Sequence, residues 1–309
     1  MALVAALGIN LAVAGAVMAR TVEESAVQAP GGPRLQAFYS LPDSSGPWPV
    51  VITIHGGEGG RDAAVLREAA DPQSTLPTIK MLNGRPWAIL SVDYRPGAIL
   101  GGEEEDILAA LDMVRRDPRF DPKRIAIVAG SHGGHLALRA GIRAGRGLAC
   151  VVAGSPWMTN PSFFLLADPA KPPVSELRPS AIKWMLTARK SLLNGLDRRG
   201  LSGQALLDRI QEKSIELHAG EILAPTLFLI SEADQQVPAT VVEPTITRMK
   251  AAGRSVEVLR VKDSLHGFYW GREGEFGARV GVGPKTAAQY AEEAEARHTM
   301  EDFLARCLR

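Results

Sequence analysis

Arg124-Ile-Ala-Ile-Val-Ala-Gly-Ser-His-Gly-Gly-His-Leu-Ala-Leu138 is the stretch whose reading decides the fold. It opens on a continuous apolar run, Ile125 to Ala129, of the length and β-branched content of a strand buried on both faces. It closes on a helical pattern from Gly134 to Ala144. Between them only Gly130-Ser131-His132-Gly133 is available to reverse the chain. A strand-to-helix turn that tight forces Ser131 into strained backbone angles. It also demands small neighbours two positions away, here Ala129 and Gly133. Such a turn lifts the Ser131 hydroxyl to the edge of a sheet, beside a helix N-terminus that favours developing negative charge. Ser131 is therefore the candidate nucleophile.

Working outward, the same alternation recurs. Strand-like runs are Arg34–Ser40, Trp48–His55, Trp87–Asp93, Arg124–Ala129, Leu148–Gly154, Thr226–Ser231 and Ser255–Val261. Helical patterns fall at 103–116, 134–144, 241–252 and 287–308. The first of these has an acidic first turn and a basic end, as the helix dipole favours. Buried strands alternating with helices specify an α/β domain with a mostly parallel central sheet and helices on both faces. About seventy residues separate the strands ending at Gly154 and starting at Thr226, far more than a plain crossover needs. The region of about 156–222 is read as a cap insertion, with helices near Ile182–Leu193 and Gln204–Gln211, over the edge where such sheets bind ligands.

A serine nucleophile needs a base, and the base needs an acid to orient it. Asp234 follows the strand Thr226–Ser231, and His266 follows Ser255–Val261. Ser131, Asp234 and His266 would then stand at the C-terminal ends of strands, all on one edge. Glu232 is an alternative acid, whereas Asp263 reads as a turn former. His132 and His135 share a helix start at i,i+3, but no third ligand is spaced near them, so no metal is expected. His218 is assigned to the surface at the end of the cap. A glycine-rich loop, His55-Gly56-Gly57-Glu58-Gly59-Gly60, follows the strand at Trp48–His55. It lacks the Lys-Ser/Thr ending of a phosphate loop. Backbone N–H groups of Gly57 or Glu58, with that of His132, are the expected oxyanion hole. The Glu58 carboxylate would oppose an oxyanion, so it is expected to face solvent or to pair with Arg61.

The composition narrows the class. Lys+Arg is 35 against Asp+Glu 34, which supplies no basic field for nucleic acid. Two cysteines, Cys150 and Cys307, make neither a disulfide framework nor a thiolate zinc site, and are read as free thiols. Residues 1–19, MALVAALGINLAVAGAVMA, carry no charged side chain and end in small residues suited to a signal peptidase. They are read as a secretory signal, giving a secreted or periplasmic enzyme with no stable membrane insertion after cleavage. The alternatives are an apolar N-terminal helix on a cytoplasmic enzyme and an uncleaved anchor. The catalytic domain is then 20–309.

His55-Gly56-Gly57, Asp93-Tyr94-Arg95, Gly130-Ser131-His132-Gly133-Gly134, Asp234-Gln-Gln-Val-Pro238 and His266-Gly267-Phe268 together resemble the α/β-hydrolase superfamily. Within it they are similar to the esterase and prolyl oligopeptidase-type group. The resemblance implies a serine hydrolase with Ser131, Asp234 and His266 as its triad and no cofactor. It departs at Ala129, where the family usually has glycine, and at Glu58. With no β-propeller ahead of the catalytic region, a carboxylic ester hydrolase is expected, with a small peptidase as the alternative and a non-catalytic binding protein as a third. The expected substrate is a small ester or, by analogy, an acylated saccharide. Trp157 and Trp270 are expected to line its pocket, with Phe163, Phe164 and Trp184 as cap aromatics near them.

Overall fold

The computed structural model describes residues 20–166, 178–271 and 284–309. The stretch 1–19 and the proline-rich loop Asp168–Pro173 lie outside the described residues.

The elements run β1 (Arg20–Gln28), β2 (Arg34–Pro42), β3 (Trp48–Ile54), α1 (Ala63–Glu68), α2 (Pro77–Asn83), β4 (Ala88–Val92) and α3 (Glu103–Arg116). They continue with β5 (Phe120–Gly130), α4 (His132–Ala144) and β6 (Cys150–Gly154). Next come α5 (Pro161–Leu165), α6 (Pro179–Arg198), α7 (Gly203–Lys213) and α8 (Ile215–His218). The chain ends with β7 (Thr226–Ser231), α9 (Ala239–Ala251), β8 (Val256–Val261), a 3₁₀ turn (Phe268–Trp270) and α10 (Ala287–Cys307). The eight strands form one sheet in the order β1-β2-β4-β3-β5-β6-β7-β8. β1 and β2 are antiparallel to their neighbours, and every other pairing is parallel.

The buried strands are those whose sequence is continuously apolar. All residues of β4, β6 and β7 are buried. One core packs α3, α4 and α9 against one sheet face, through Ile52, Ile54, Leu111, Leu136 and Val242 among others. The other face packs against α2 and α10, with Val51, Ile89, Val128, Leu229 and Phe303. Cys150 lies in this second core and partly buried Cys307 packs against it; both thiols are free. Burial, and then the Cys307 thiol beside it, push the Cys150 thiol far up, so it packs as a neutral side chain.

The cap is a third, smaller cluster. Met158, Phe164, Leu165, Leu196, Leu206 and Ile210 close on Leu100, with Trp157 and Leu192 partly buried against them. A buried ionic cluster joins α7 to the main domain. Glu104 on α3 meets Lys213 Nζ at 2.7 Å, Arg139 Nε at 3.0 Å and Arg143 Nη1 at 3.1 Å. Burial alone would raise the Glu104 carboxyl, but hydrogen bonds from Arg139 and Lys213 carry it down to about 2.

Two features depart from the sequence expectation. β1 is a strand where none is predicted, because an antiparallel edge strand needs little apolar alternation and RTVEESAVQ has almost none. The connection between β3 and β4, for which the sequence predicts no element, holds the short helices α1 and α2.

Candidate active site

The C-terminal ends of the parallel strands gather the chemistry-bearing side chains on one edge. Ser131 follows β5 with φ 54° and ψ −126°, a strained geometry for a residue with a side chain. Backbone bonds on both sides hold it there. Its N–H donates to Gly154 O at 2.8 Å, and its carbonyl accepts from Trp157 N at 2.9 Å and His135 N at 3.2 Å. The small residues around it answer to specific neighbours. A Cβ on Gly133 would stand 2.3 Å from His55 O, so glycine here admits the end of β3. A Cβ on Gly130 would stand 2.0 Å from Cε2 of Tyr269. Ala129, by contrast, sits in the core without conflict.

Asp234 lies in the turn after β7 and is 1% exposed. Its Oδ1 accepts from the N–H groups of Gln236 (2.8 Å) and Val237 (2.9 Å), which fixes the carboxylate plane. Its Oδ2 then faces His266 Nδ1 at 2.8 Å. Of the two acids the sequence offers, Asp234 is therefore the one on the imidazole. Exposed Glu232 contributes only its N–H, to Val261 O at 2.9 Å. With Nδ1 committed to a carboxylate, Nε2 is the nitrogen that would exchange a proton with a hydroxyl.

The glycine-rich loop abuts the elbow: a Cβ on Gly56 would lie 2.9 Å from Ser131 Cβ. Asp93, at the end of β4, organises this loop. Its Oδ1 accepts from Tyr94 N (2.8 Å), His55 Nε2 (2.9 Å) and Gly60 N (3.0 Å), and its Oδ2 from Arg61 N (3.1 Å). Tyr94 stacks on His55 with ring centroids 4.5 Å apart and donates its hydroxyl to Gly57 O at 2.7 Å. Arg95 grips Asp106 through Nε (2.8 Å) and Nη2 (2.6 Å), fixing the next turn to α3. Glu58 does not pair with Arg61. Its Oε1 accepts from Gly97 N at 3.0 Å, and the Arg61 guanidinium reaches Gly56 O at 2.9 Å. A loop N–H is the partner of the exposed carboxylate, and the guanidinium shares the Gly56 carbonyl with His55 Nδ1, which lies 3.0 Å from it.

Among the described residues no group of three or more His, Cys, Asp or Glu could hold a metal ion. The rings of His132 and His135 stack at 5.7 Å. His132 Nε2 lies 3.0 Å from Glu103 Oε1, and His135 Nδ1 lies 3.1 Å from Met158 O. Burial, with His132 and Arg139 beside it, holds the His135 imidazole well below its ordinary range, so it is neutral at pH 7. His218, half-exposed as expected, meets Glu221 at 2.7 Å.

A cavity of about 550 Å³ opens over Ser131. Trp157, Ala98, Ile99, Ala188 and Leu192 supply its apolar wall; Glu58, Glu103, Arg198 and Arg199 supply charge. Trp157 thus stands where the sequence places it, while also packing edge-on to Phe164 at 4.9 Å within the cap. Trp270 does not line this cavity. Gly267 and Gly271, both left-handed, bracket the 3₁₀ turn and send Trp270 toward the core beneath α10. Tyr269 takes the inward place instead, with its ring 6.3 Å from His266 and its hydroxyl at the Ser131 backbone. Burial, and then the Asp234 carboxylate, push its phenol well above the ordinary range, so it stays protonated. Tyr269 was not legible as a site residue; its only trace in the sequence is glycine at both 130 and 154, whose Cβ atoms its ring would exclude. Of the other cap aromatics, Phe164 is in the cap core and Phe163 is half-buried.

The chain is similar to several known proteins. Residues 37–158 match the family model described as BD-FAE. Acylamino-acid-releasing enzyme 1 of Oryza sativa subsp. japonica is 23% identical over 243 residues, covering 74% of this chain and 28% of that protein. Among solved structures, the acylaminoacyl peptidase of Pyrococcus horikoshii superposes with a TM-score of 0.66 at 15% identity, over 94% of this chain and 42% of that one. An esterase of Pyrococcus furiosus superposes with a TM-score of 0.61 at 17% identity, over 94% of both chains. The chain thus spans about a quarter of the curated relative's length and two-fifths of the peptidase's. The fold is the α/β-hydrolase fold. Neighbours that share it include both peptidases and esterases.

Proposed function

We propose that this protein hydrolyses small carboxylic esters through an acyl-enzyme. Ser131 attacks the ester carbonyl while His266 Nε2 takes its proton. The tetrahedral oxyanion is held by the N–H of His132 and that of Gly57 or Glu58. As the intermediate collapses, His266 returns the proton to the leaving alcohol and Ser131 is left acylated. Water, deprotonated by the same imidazole, then releases the acid and restores the serine. Asp234 keeps Nδ1 protonated and stabilises the imidazolium in both halves. The carrying observation is the 2.8 Å contact between Asp234 and His266, on the same sheet edge as the strained Ser131.

The apolar wall of the cavity suits a short acyl or alcohol group with few polar atoms. Overlap with nearly the whole length of an esterase supports the ester reading. The likeness to the rice acylamino-acid-releasing enzyme favours a second reading, cleavage of acylated amino acid amides. One panel separates them: p-nitrophenyl esters of graded acyl length beside N-acetylaminoacyl p-nitroanilides. Higher kcat/KM on the esters supports the first reading, and preference for the anilides replaces it with the second.

A further inference from the structure

The loop that carries His266 is gripped from outside the cavity by α10. Four residues, 262–265, join the end of β8 to His266. Glu292 Oε1 accepts from Lys262 N at 2.8 Å and Asp263 N at 3.0 Å. Its Oε2 accepts from Asp263 N at 3.1 Å, Ser264 N at 2.8 Å and the Ser264 hydroxyl at 2.7 Å. One turn earlier on the same helix, Gln289 Nε2 donates to Asp263 O at 2.7 Å. The loop is also tied to the strand preceding Asp234, because Ser231 Oγ donates to Ser264 O at 2.5 Å. Three consecutive backbone N–H groups converging on one carboxylate make an anion cradle. Burial would raise the Glu292 carboxyl, but the Ser264 hydroxyl and the three N–H groups hold it below its usual range.

Stability accounts for the bonds from Ser264, which is 1% exposed, but not for those from Lys262 and Asp263. Lys262 and Asp263 are exposed, so water could satisfy their N–H groups at little cost. What water cannot do is fix where the loop stands. The α10 end of the anchor is itself held, since Thr286 and Gln289 form a reciprocal cap at the helix start. We propose that Glu292 is a positioning residue for the hydrolytic reaction, setting the place of the His266 imidazole between Asp234 and Ser131. The assignment rests on the triad reading above. A general base displaced by about 1 Å loses on the order of a hundredfold in rate while substrate binding is untouched.

The test uses the full chain with Glu292→Gln, Glu292→Ala and, as control, Glu295→Gln at an exposed position on the same helix. Turnover of p-nitrophenyl acetate, phosphonylation of Ser131 by a fluorophosphonate, melting temperature and the downfield Nδ1–H proton resonance of His266 are read together. The expected result is a fall in kcat and in phosphonylation rate of about 10- to 100-fold, greater for Ala than for Gln. KM should hold, the Nδ1–H resonance should broaden, and the control should match wild type. Gln keeps the shape of Glu, so it serves if the Ala variant does not fold. A folded variant with wild-type kcat and phosphonylation rate overturns the assignment and leaves the triad reading intact. So does a loss of activity that merely tracks a lower melting temperature and a raised KM. A folded wild type that neither reacts with the probe nor turns over ester overturns the triad reading, and the Glu292 assignment with it.

Discussion

At the scale of single residues, function rests on which atom of each side chain is already committed. Asp234 spends Oδ1 on two backbone N–H groups and offers Oδ2 to His266. Asp234→Asn keeps the shape, but its amide can present an NH₂ group to Nδ1 and so favour the wrong tautomer. In established Ser-His-Asp hydrolases the corresponding change costs about 10⁴ in kcat. The same order of loss is expected here, with little change in melting temperature, measured by ester turnover on the folded variant. The strand-end positions of Ser131, Asp234 and His266 were legible, because the strands announce themselves by apolar runs. Glu292 and Tyr269 were not. Their roles depend on contacts across 28 and 138 positions of sequence, which no local pattern encodes.

At the scale of elements, the cap and the 3₁₀ turn divide the aromatics between pocket and core. Trp157 belongs to both, lining the cavity and touching Phe164, whereas Trp270 belongs to the core under α10. Trp157→Ala should therefore change the relative kcat/KM of short and long acyl esters, by about 1–3 kcal/mol, and also lower the melting temperature. Trp270→Ala should lower the melting temperature and leave acyl preference alone. A panel of p-nitrophenyl esters with a thermal melt distinguishes the two. The helix α3 reads directly from its charge pattern and matches at both ends. The cap's two longer helices read from the sequence near 182–193 and 204–211, but its packing does not, because that comes from contacts among Leu100, Phe164, Leu196 and Ile210 that are distant in sequence. β1 escaped because an edge strand need not be apolar.

At the scale of the whole molecule, charge ties the cap to the sheet. Glu104 is 2% exposed and serves Arg139, Arg143 and Lys213. Its folded carboxyl titrates at about 2 against an ordinary 4.5, so the unfolded chain binds the proton first. This contribution is complete above pH ~4.5 and is lost as the pH falls from there toward ~2. His135 acts in the same direction at higher pH. Its folded imidazole stays neutral, so unfolding takes up a proton, and stability declines as the pH drops below the ordinary histidine range. Glu104→Gln should remove one charge from among buried cations and destabilise the protein by roughly 3–5 kcal/mol at pH 7. It should also flatten the acid limb below pH ~4.5. Denaturant melts from pH 3 to 8 (on the order of one per pH unit) read both effects.

The proposed function requires above all that Ser131 be an activated nucleophile. Among the described residues no helix is long and apolar enough to cross a membrane. The direct measurement is mass spectrometry of the folded protein after reaction with a fluorophosphonate, beside Ser131→Ala. The account predicts one adduct, on the peptide carrying Ser131, with loss of ester turnover in step with labelling. It also predicts an unlabelled variant whose kcat is lower by about 10⁴- to 10⁶-fold. A folded wild type that stays unlabelled, or a Ser131→Ala variant that retains more than a tenth or so of wild-type turnover, would contradict it.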